Sequence, residues 1–373
     1  MDCIVFLRRN KNKRIENKSS FRINKRLYGV FVGSFVFWRA KHLKNVIKIW
    51  YNMDMIWFIV IGILFIIVFL LSLWTYKMAF YSPKKLRATF EELPKGEQYE
   101  RERERMLSLI REMQALPFER VEITSYDGKK LFGRYYHVKD GAPLQLQFHG
   151  YKGSAVRDFC GGNKIAREMG HNSLVIEQRA HGESEGHTIT FGIKERRDCL
   201  SWIEYANRRF GEDTTVYLSG VSMGAATVLM ASQLQLPKNV KGIIADSPYS
   251  SPEALIRKVC KEMGYPPKLA FPFLQLGSRV FGGFNLREAS AKEAVKHTNI
   301  PILLIHGEED LFVPCEMSKE IYEYCASREN VTFVTFPKAG HGISYIVDEE
   351  RYVRILHGFL AGVSHEEKED RLL

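Results

Sequence analysis

The sequence predicts an α/β fold: a mostly parallel central sheet with helices on both faces and a helical cap, preceded by one transmembrane helix. Three observations predict it. From about residue 118 onward, short β-branched and aromatic runs alternate with segments of helical periodicity, the pattern of a parallel sheet covered on both sides. Between one such run and a small, apolar helical segment lies a G-x-S-x-G turn, Gly220-Val221-Ser222-Met223-Gly224. Ahead of all this, Met55 to Tyr76 forms a run of 22 residues without a charge.

Length and charge bound the reading. A chain of 373 residues is long enough for one large domain and an appendage. The formal net charge of +11 is concentrated at one end: residues 1–54 hold 13 Lys and Arg against three acids, and the remainder is close to neutral. The basic character therefore belongs to an N-terminal arm and says nothing about a substrate. Basic residues interleaved with aromatics also occur in nucleic-acid binders, but the apolar run that follows makes this a juxtamembrane arm with no nucleic-acid partner. The six cysteines show neither a disulfide framework nor zinc-site spacing, so free thiols, no metal and no cofactor are expected.

In chain order, residues 1–54 are the arm, and 55–76 are the membrane span. That span is long enough for a hydrocarbon core and carries Trp57, Trp74 and Tyr76 near its ends, where amphipathic rings suit the interface. No small-residue cleavage site follows it, so it reads as an anchor rather than a leader. With Met1 as the start, the positive-inside rule keeps the arm in the cytoplasm and the large domain outside. A start at Met53 would leave Lys77, Lys84, Lys85 and Arg87 dominant and reverse the orientation. Residues 77–117 read as a linker carrying an amphipathic helix, with Met106, Leu107, Leu109, Ile110 and Met113 at helical spacing.

Strands are expected at 120–124, 131–138, 143–148, 173–178, 214–218, 240–245, 300–305 and 331–336 within a domain spanning 118–362. Tyr126-Asp127-Gly128 makes a hairpin between the first two. A helix is expected through Cys199, Ile203 and Phe210, and another closes the domain at 351–361. Residues 249–296 interrupt the alternation with a proline-broken segment rich in large apolar groups, the expected cap. A charged, solvated tail occupies 363–373.

Ser222 is the candidate nucleophile. The strand-to-helix turn lifts its Oγ clear of the sheet, and the glycines leave room for a tight, strained backbone. A serine hydroxyl needs a base, and the base needs an orienting carboxylate. Asp310 follows the strand at 300–305, in His306-Gly-Glu-Glu-Asp-Leu-Phe-Val-Pro314, with Glu308 and Glu309 as rivals. His341 follows the last strand between two glycines, in Pro337-Lys-Ala-Gly-His-Gly-Ile343. All three lie at strand C-terminal ends, on the edge where sites of open α/β sheets collect, and their chain order of Ser, Asp, His goes with a G-x-S-x-G elbow. His149, His181 and His306 read as loop-packing residues.

These motifs, with His149-Gly-Tyr-Lys-Gly and Arg179-Ala-His-Gly-Glu-Ser184, resemble the serine α/β-hydrolase fold family over about residues 118–362. More narrowly, the chain is similar to membrane-anchored bacterial hydrolases of unassigned substrate. The resemblance implies that Ser222 attacks, His341 shuttles the proton, Asp310 orients the imidazole, and the N–H groups of Tyr151 and Met223 form an oxyanion hole. Ala180 stands where many relatives carry glycine.

The expected function is a membrane-anchored serine hydrolase cleaving a small-molecule carboxylic ester or acyl substrate through an acyl-enzyme. A peptidase or acyltransferase would use the same triad, and a non-catalytic interaction protein would keep the fold without needing it. Oligomeric state has no signature in the sequence.

Overall fold

Helix α1 (Ser20–Ala79) is one unbroken run in the computed structural model, which describes residues 20–87, 92–325 and 329–370. The expected span 55–76 lies inside it. From Val36 to Leu70 every side chain is exposed, and this stretch continues through Ala79 as a helix long and apolar enough to cross a membrane. Expectations for residues 1–19, Cys3 among them, and for 371–373 lie outside the described residues. The chain divides after Phe69 into two units.

The second unit begins with the last turns of α1. Two helices then cover the segment expected as a linker: α2 (Glu97–Arg101) and α3 (Arg103–Ala115). Tyr99, Met106, Leu109, Ile110 and Met113 are buried in the core of this unit, which accounts for the helical spacing seen in the sequence.

An eight-stranded sheet follows. Strands β1 (Glu119–Thr124) and β2 (Lys130–Tyr136) form the expected antiparallel hairpin, with Gly128 at φ +82° in its turn. Then come β3 (Leu144–Phe148), helix α4 (Ala155–Glu168), β4 (Asn172–Glu177), α5 (Glu195–Phe210), β5 (Val216–Val221), α6 (Met223–Ala231) and β6 (Val240–Asp246). Helices α7 (Pro252–Glu262), α8 (Pro267–Val280) and α9 (Ala291–Ala294) make the cap region. The unit finishes with β7 (Ile302–Gly307), α10 (Cys315–Tyr324), β8 (Val331–Phe336), α11 (Ser344–Val347) and α12 (Glu349–Asp370). All eight strands coincide with predicted runs.

The strand order is β1-β2-β4-β3-β5-β6-β7-β8, antiparallel at β1/β2 and β2/β4 and parallel from β4 onward. This order positions the site. After β3 the chain crosses to β4 on one side, and after β5 it crosses to β6 on the other. The loops leaving β3 and β5 therefore part, opening a crevice at their C-terminal ends.

Both faces of the sheet are sealed. Trp202, Ile203, Val228, Leu229 and Ile321 from α5, α6 and α10 pack against one face. Ile110, Phe159, Ile165, Tyr352 and Leu356 from α3, α4 and α12 pack against the other. Each such large side chain removed from water contributes about 1.5–3 kcal/mol. A third cluster joins Tyr76 and Phe80 to Phe271, Leu274 and Phe284 of the cap region.

Candidate active site

Strand β5 hands over to α6 at Ser222, whose backbone sits at φ 56°, ψ −113°. A non-glycine residue there is strained and is held by its surroundings: its N–H donates to Asp246 O at 2.8 Å, and its carbonyl accepts from Ala226 N at 3.0 Å. The flanking glycines have a steric cause. A Cβ on Gly220 would stand 2.3 Å from the Gly224 carbonyl, and one on Gly224 would stand 1.7 Å from Phe148 O at the end of β3. Only hydrogen fits at either position.

Asp310 lies in the loop after β7 with its side chain fully buried. Its Oδ1 accepts from the N–H groups of Phe312 at 2.9 Å and Val313 at 2.7 Å, and its Oδ2 lies 2.6 Å from His341 Nδ1. A carboxylate oxygen only accepts, so Nδ1 carries a proton, and in the neutral ring the lone pair falls to Nε2. Burial pushes the Asp310 carboxyl up, but His341 and His306 outweigh it and hold the group well below the usual carboxylate range. The rival acids turn elsewhere: Glu308 accepts from Thr335 Oγ1 at 2.6 Å, and Glu309 is exposed.

The loop after β3 is braced by two buried histidines. His149 donates from Nδ1 to Gly150 O and accepts at Nε2 from Gln178 N; His181 donates from Nδ1 to Arg179 O and accepts at Nε2 from Lys152 N. Burial lowers both ring pKa values, which keeps the rings neutral, as this bonding requires. Asp158 Oδ2 accepts from Gly150 N at 2.8 Å. The loop is thereby pressed towards the elbow: a Cβ on Gly150 would stand 3.3 Å from Ser222 Cβ. Among the described residues, the N–H groups of Tyr151 and Met223 find no acceptor. Ala180, on the neighbouring loop, sits at φ +62°, a left-handed backbone that favours glycine.

Ser222 and His341 line one cavity of about 350 Å³, together with Gly150, Tyr151 and Phe312. No hydrogen bond joins the Ser222 hydroxyl to the His341 ring in this arrangement. Ser222 also lines a second cavity of about 510 Å³, walled by apolar side chains of α7, α8 and the end of α1. The elbow thus stands where a cleft of mixed lining meets an almost wholly apolar one.

Four residues near the site make contacts that the sequence does not signal. Gln98 Oε1 accepts from His341 N–H at 3.3 Å, and the Tyr99 hydroxyl donates to His341 O at 3.1 Å. Ser247 donates to Asp246 Oδ1 and accepts from Gly342 N, linking the strand end behind Ser222 to the loop that carries His341. His306, read from sequence as packing, lies 3.2 Å from Asp310 Oδ2 and donates from Nε2 to Val313 O at 2.8 Å. Residues 71–79 belong to the site as well: the Tyr151 hydroxyl donates to Ala79 O at 2.8 Å.

Comparison with known proteins points the same way. A model of the prolyl oligopeptidase family (Peptidase_S9) matches residues 189–366, just under half the chain. The uncharacterized protein YqkD of Bacillus subtilis is 25% identical over 194 residues, which is 52% of this chain and 63% of that protein. The lysophosphatidylserine lipase ABHD12 of Danio rerio is 26% identical over 239 residues, 58% of each chain. The chain therefore spans about three-fifths of the length of these relatives. Among solved structures, the Pyrococcus furiosus esterase Pf2001 superposes with a TM-score of 0.53 at 25% identity, covering 67% of this chain and 94% of that one. Est1E from Butyrivibrio proteoclasticus, with ferulic acid bound, superposes with a TM-score of 0.51 at 22% identity, covering 66% and 99%. With the sheet order, the strained elbow and these matches in hand, the chain has the α/β-hydrolase fold.

Proposed function

We propose that this protein is a membrane-anchored serine hydrolase that cleaves carboxylic esters, with Ser222, His341 and Asp310 as its triad. The observation that carries the reading is the 2.6 Å contact between His341 Nδ1 and the buried Asp310, in a cavity that Ser222 also lines. It fixes the imidazole with Nε2 as the proton acceptor. On substrate binding the Ser222 hydroxyl closes onto Nε2, a contact that is often loose in empty sites. Ser222 Oγ then attacks the ester carbonyl carbon while its proton passes to Nε2. The resulting oxyanion is received by the N–H groups of Tyr151 and Met223, worth about a hundredfold or more in rate per donor. Collapse breaks the C–O bond, the proton on Nε2 goes to the departing alcohol, and the acyl group remains on Ser222. Water, deprotonated by His341, releases the acid by the same steps.

The apolar cavity beside Ser222 favours an acyl chain as the carboxylic portion, and the name of the ABHD12 relatives as lipases agrees with that choice. Anchoring rests on α1, and with Met1 as the start the surplus of basic residues at 1–54 favours an extracytoplasmic catalytic unit, whereas a start at Met53 favours the reverse. A second reading, peptidase action, is favoured by the match to the prolyl oligopeptidase family. Rates on p-nitrophenyl acyl esters and on aminoacyl amides decide between them. The proposal expects ester turnover that disappears in Ser222→Ala; faster cleavage of the amides would favour the peptidase.

A further inference from the structure

Helix α8 carries apolar side chains on two faces. Phe271, Leu274 and Gly277 are buried. Along the other side run Leu269, Phe273, Leu276 and Val280, spaced four, three and four residues apart and hence on one stripe. Leu269 is 68% exposed and Val280 59%, where a helix facing water would carry polar groups. Next to this stripe, at Gly277, helix α1 comes so near that a Cβ would stand 2.5 Å from Ser72 O. There α1 presents a stripe of its own, Leu71, Trp74 and Met78, all partly exposed, with the Trp74 ring edge-on to Tyr265 of the cap region. Residues of both stripes wall the 510 Å³ cavity that Ser222 lines.

We infer that this double-striped surface is immersed in lipid, and that the substrate's acyl chain passes from the bilayer into the cavity between α1 and α8 without crossing water. The inference rests on the proposed esterase reading and narrows its substrate class to long-chain acyl esters resident in a membrane. Continuity selects lipid over a protein partner. Leu71, Trp74 and Met78 belong to the one helix, among the described residues, that is long and apolar enough to cross a bilayer. Trp74, half exposed, is of the residue type that settles at the headgroup level. Exposed Lys77, Lys268 and Arg279 stand at this surface as counter-charges for phosphate headgroups.

The test uses the full chain reconstituted in phosphatidylcholine vesicles. In one arm the vesicles contain a phospholipid with a diazirine on its acyl chain, and adducts are mapped after irradiation. Adducts on residues 269–280 are expected. Adducts confined to the part of α1 before Leu70, or cross-links from α8 to a second copy, would overturn the inference. In the other arm Leu276→Glu and Val280→Glu are combined, both outside the cavity lining. The rate on a long-chain ester held in the vesicles should fall by about tenfold or more, with a soluble butyrate ester changed less than about twofold. Unchanged rates on both esters, or equal losses on both, would overturn it. Wild-type protein that cleaves neither ester would instead remove the esterase reading, while the adduct map would still decide the lipid contact.

Discussion

Tyr99 donates its hydroxyl to the backbone carbonyl of His341, 242 residues further along the chain, at 3.1 Å. With Gln98 on the N–H of the same residue, consecutive side chains of α2 hold both polar groups of the His341 backbone. Burial, with Asp310 and Asp158 nearby, raises the Tyr99 pKa and keeps the phenol a donor at ordinary pH. One hydrogen bond of this kind is worth about 0.5–1.5 kcal/mol, so Tyr99→Phe should lower kcat about two- to tenfold with KM nearly unchanged. Steady-state kinetics on a soluble ester check this, and an unaltered kcat would remove Tyr99 from the positioning of His341.

Asp310 gives a prediction in pH as well as in rate. Asp310→Asn leaves the shape of the site but frees the imidazole to take the wrong tautomer, which in a serine protease costs about four orders of magnitude; a fall of about 10³–10⁴ in kcat is expected here. The native carboxyl is held below its unfolded value, so its contribution to stability is present above the unfolded pKa of about 3.9 and is lost as pH falls through the native pKa. Denaturant titrations of wild type and variant should therefore differ by a constant amount near neutrality and converge below about pH 4. A difference that persists unchanged into acid would contradict the ionised, histidine-paired state.

Much of this architecture could be read from the chain because local pattern and tertiary role coincide there. Buried parallel strands such as Ile302–Gly307 must be continuously apolar, and the elbow needs its two glycines for contacts that are fixed by the fold. Helix α4 was not legible: Gly161 and Gly162 break its pattern, and Phe159 kinks it at φ −117°, ψ 15°. The extent of α1 was missed for a different reason. Hydropathy marks the apolar run, whereas the helix continues through basic residues that remain good helix formers. Gln98, Tyr99 and Ser247 act through contacts between distant segments, which no spacing along the chain encodes.

Glycines in this protein separate by what surrounds them. Gly224→Ala drives a Cβ into Phe148 O and should cost about 1–3 kcal/mol or more, enough to lower solubility or the melting temperature sharply. Gly358 in α12 is exposed and has nothing within 4 Å, so Gly358→Ala should add about 0.5–1 kcal/mol. Thermal unfolding of both variants tests the pair. Equal effects would mean that the crowding at the elbow is relieved by backbone movement.

The apolar cavity predicts how acyl length is selected. Ala270 of α8 lines it, and Ala270→Phe fills space that a chain would occupy. The ratio of decanoate to acetate ester turnover should fall by about tenfold or more, since each methylene denied burial forfeits about 0.8 kcal/mol. A chain-length series that kept its wild-type profile would place the acyl group elsewhere.

The central claim is that Ser222 is the nucleophile. Its most direct test is to treat the full chain with a fluorophosphonate and locate the adduct by mass spectrometry. The account predicts a single phosphonylated serine at position 222, with labelling lost in Ser222→Ala and slowed in His341→Ala. A label on any other residue, or undiminished labelling of Ser222→Ala, would contradict it.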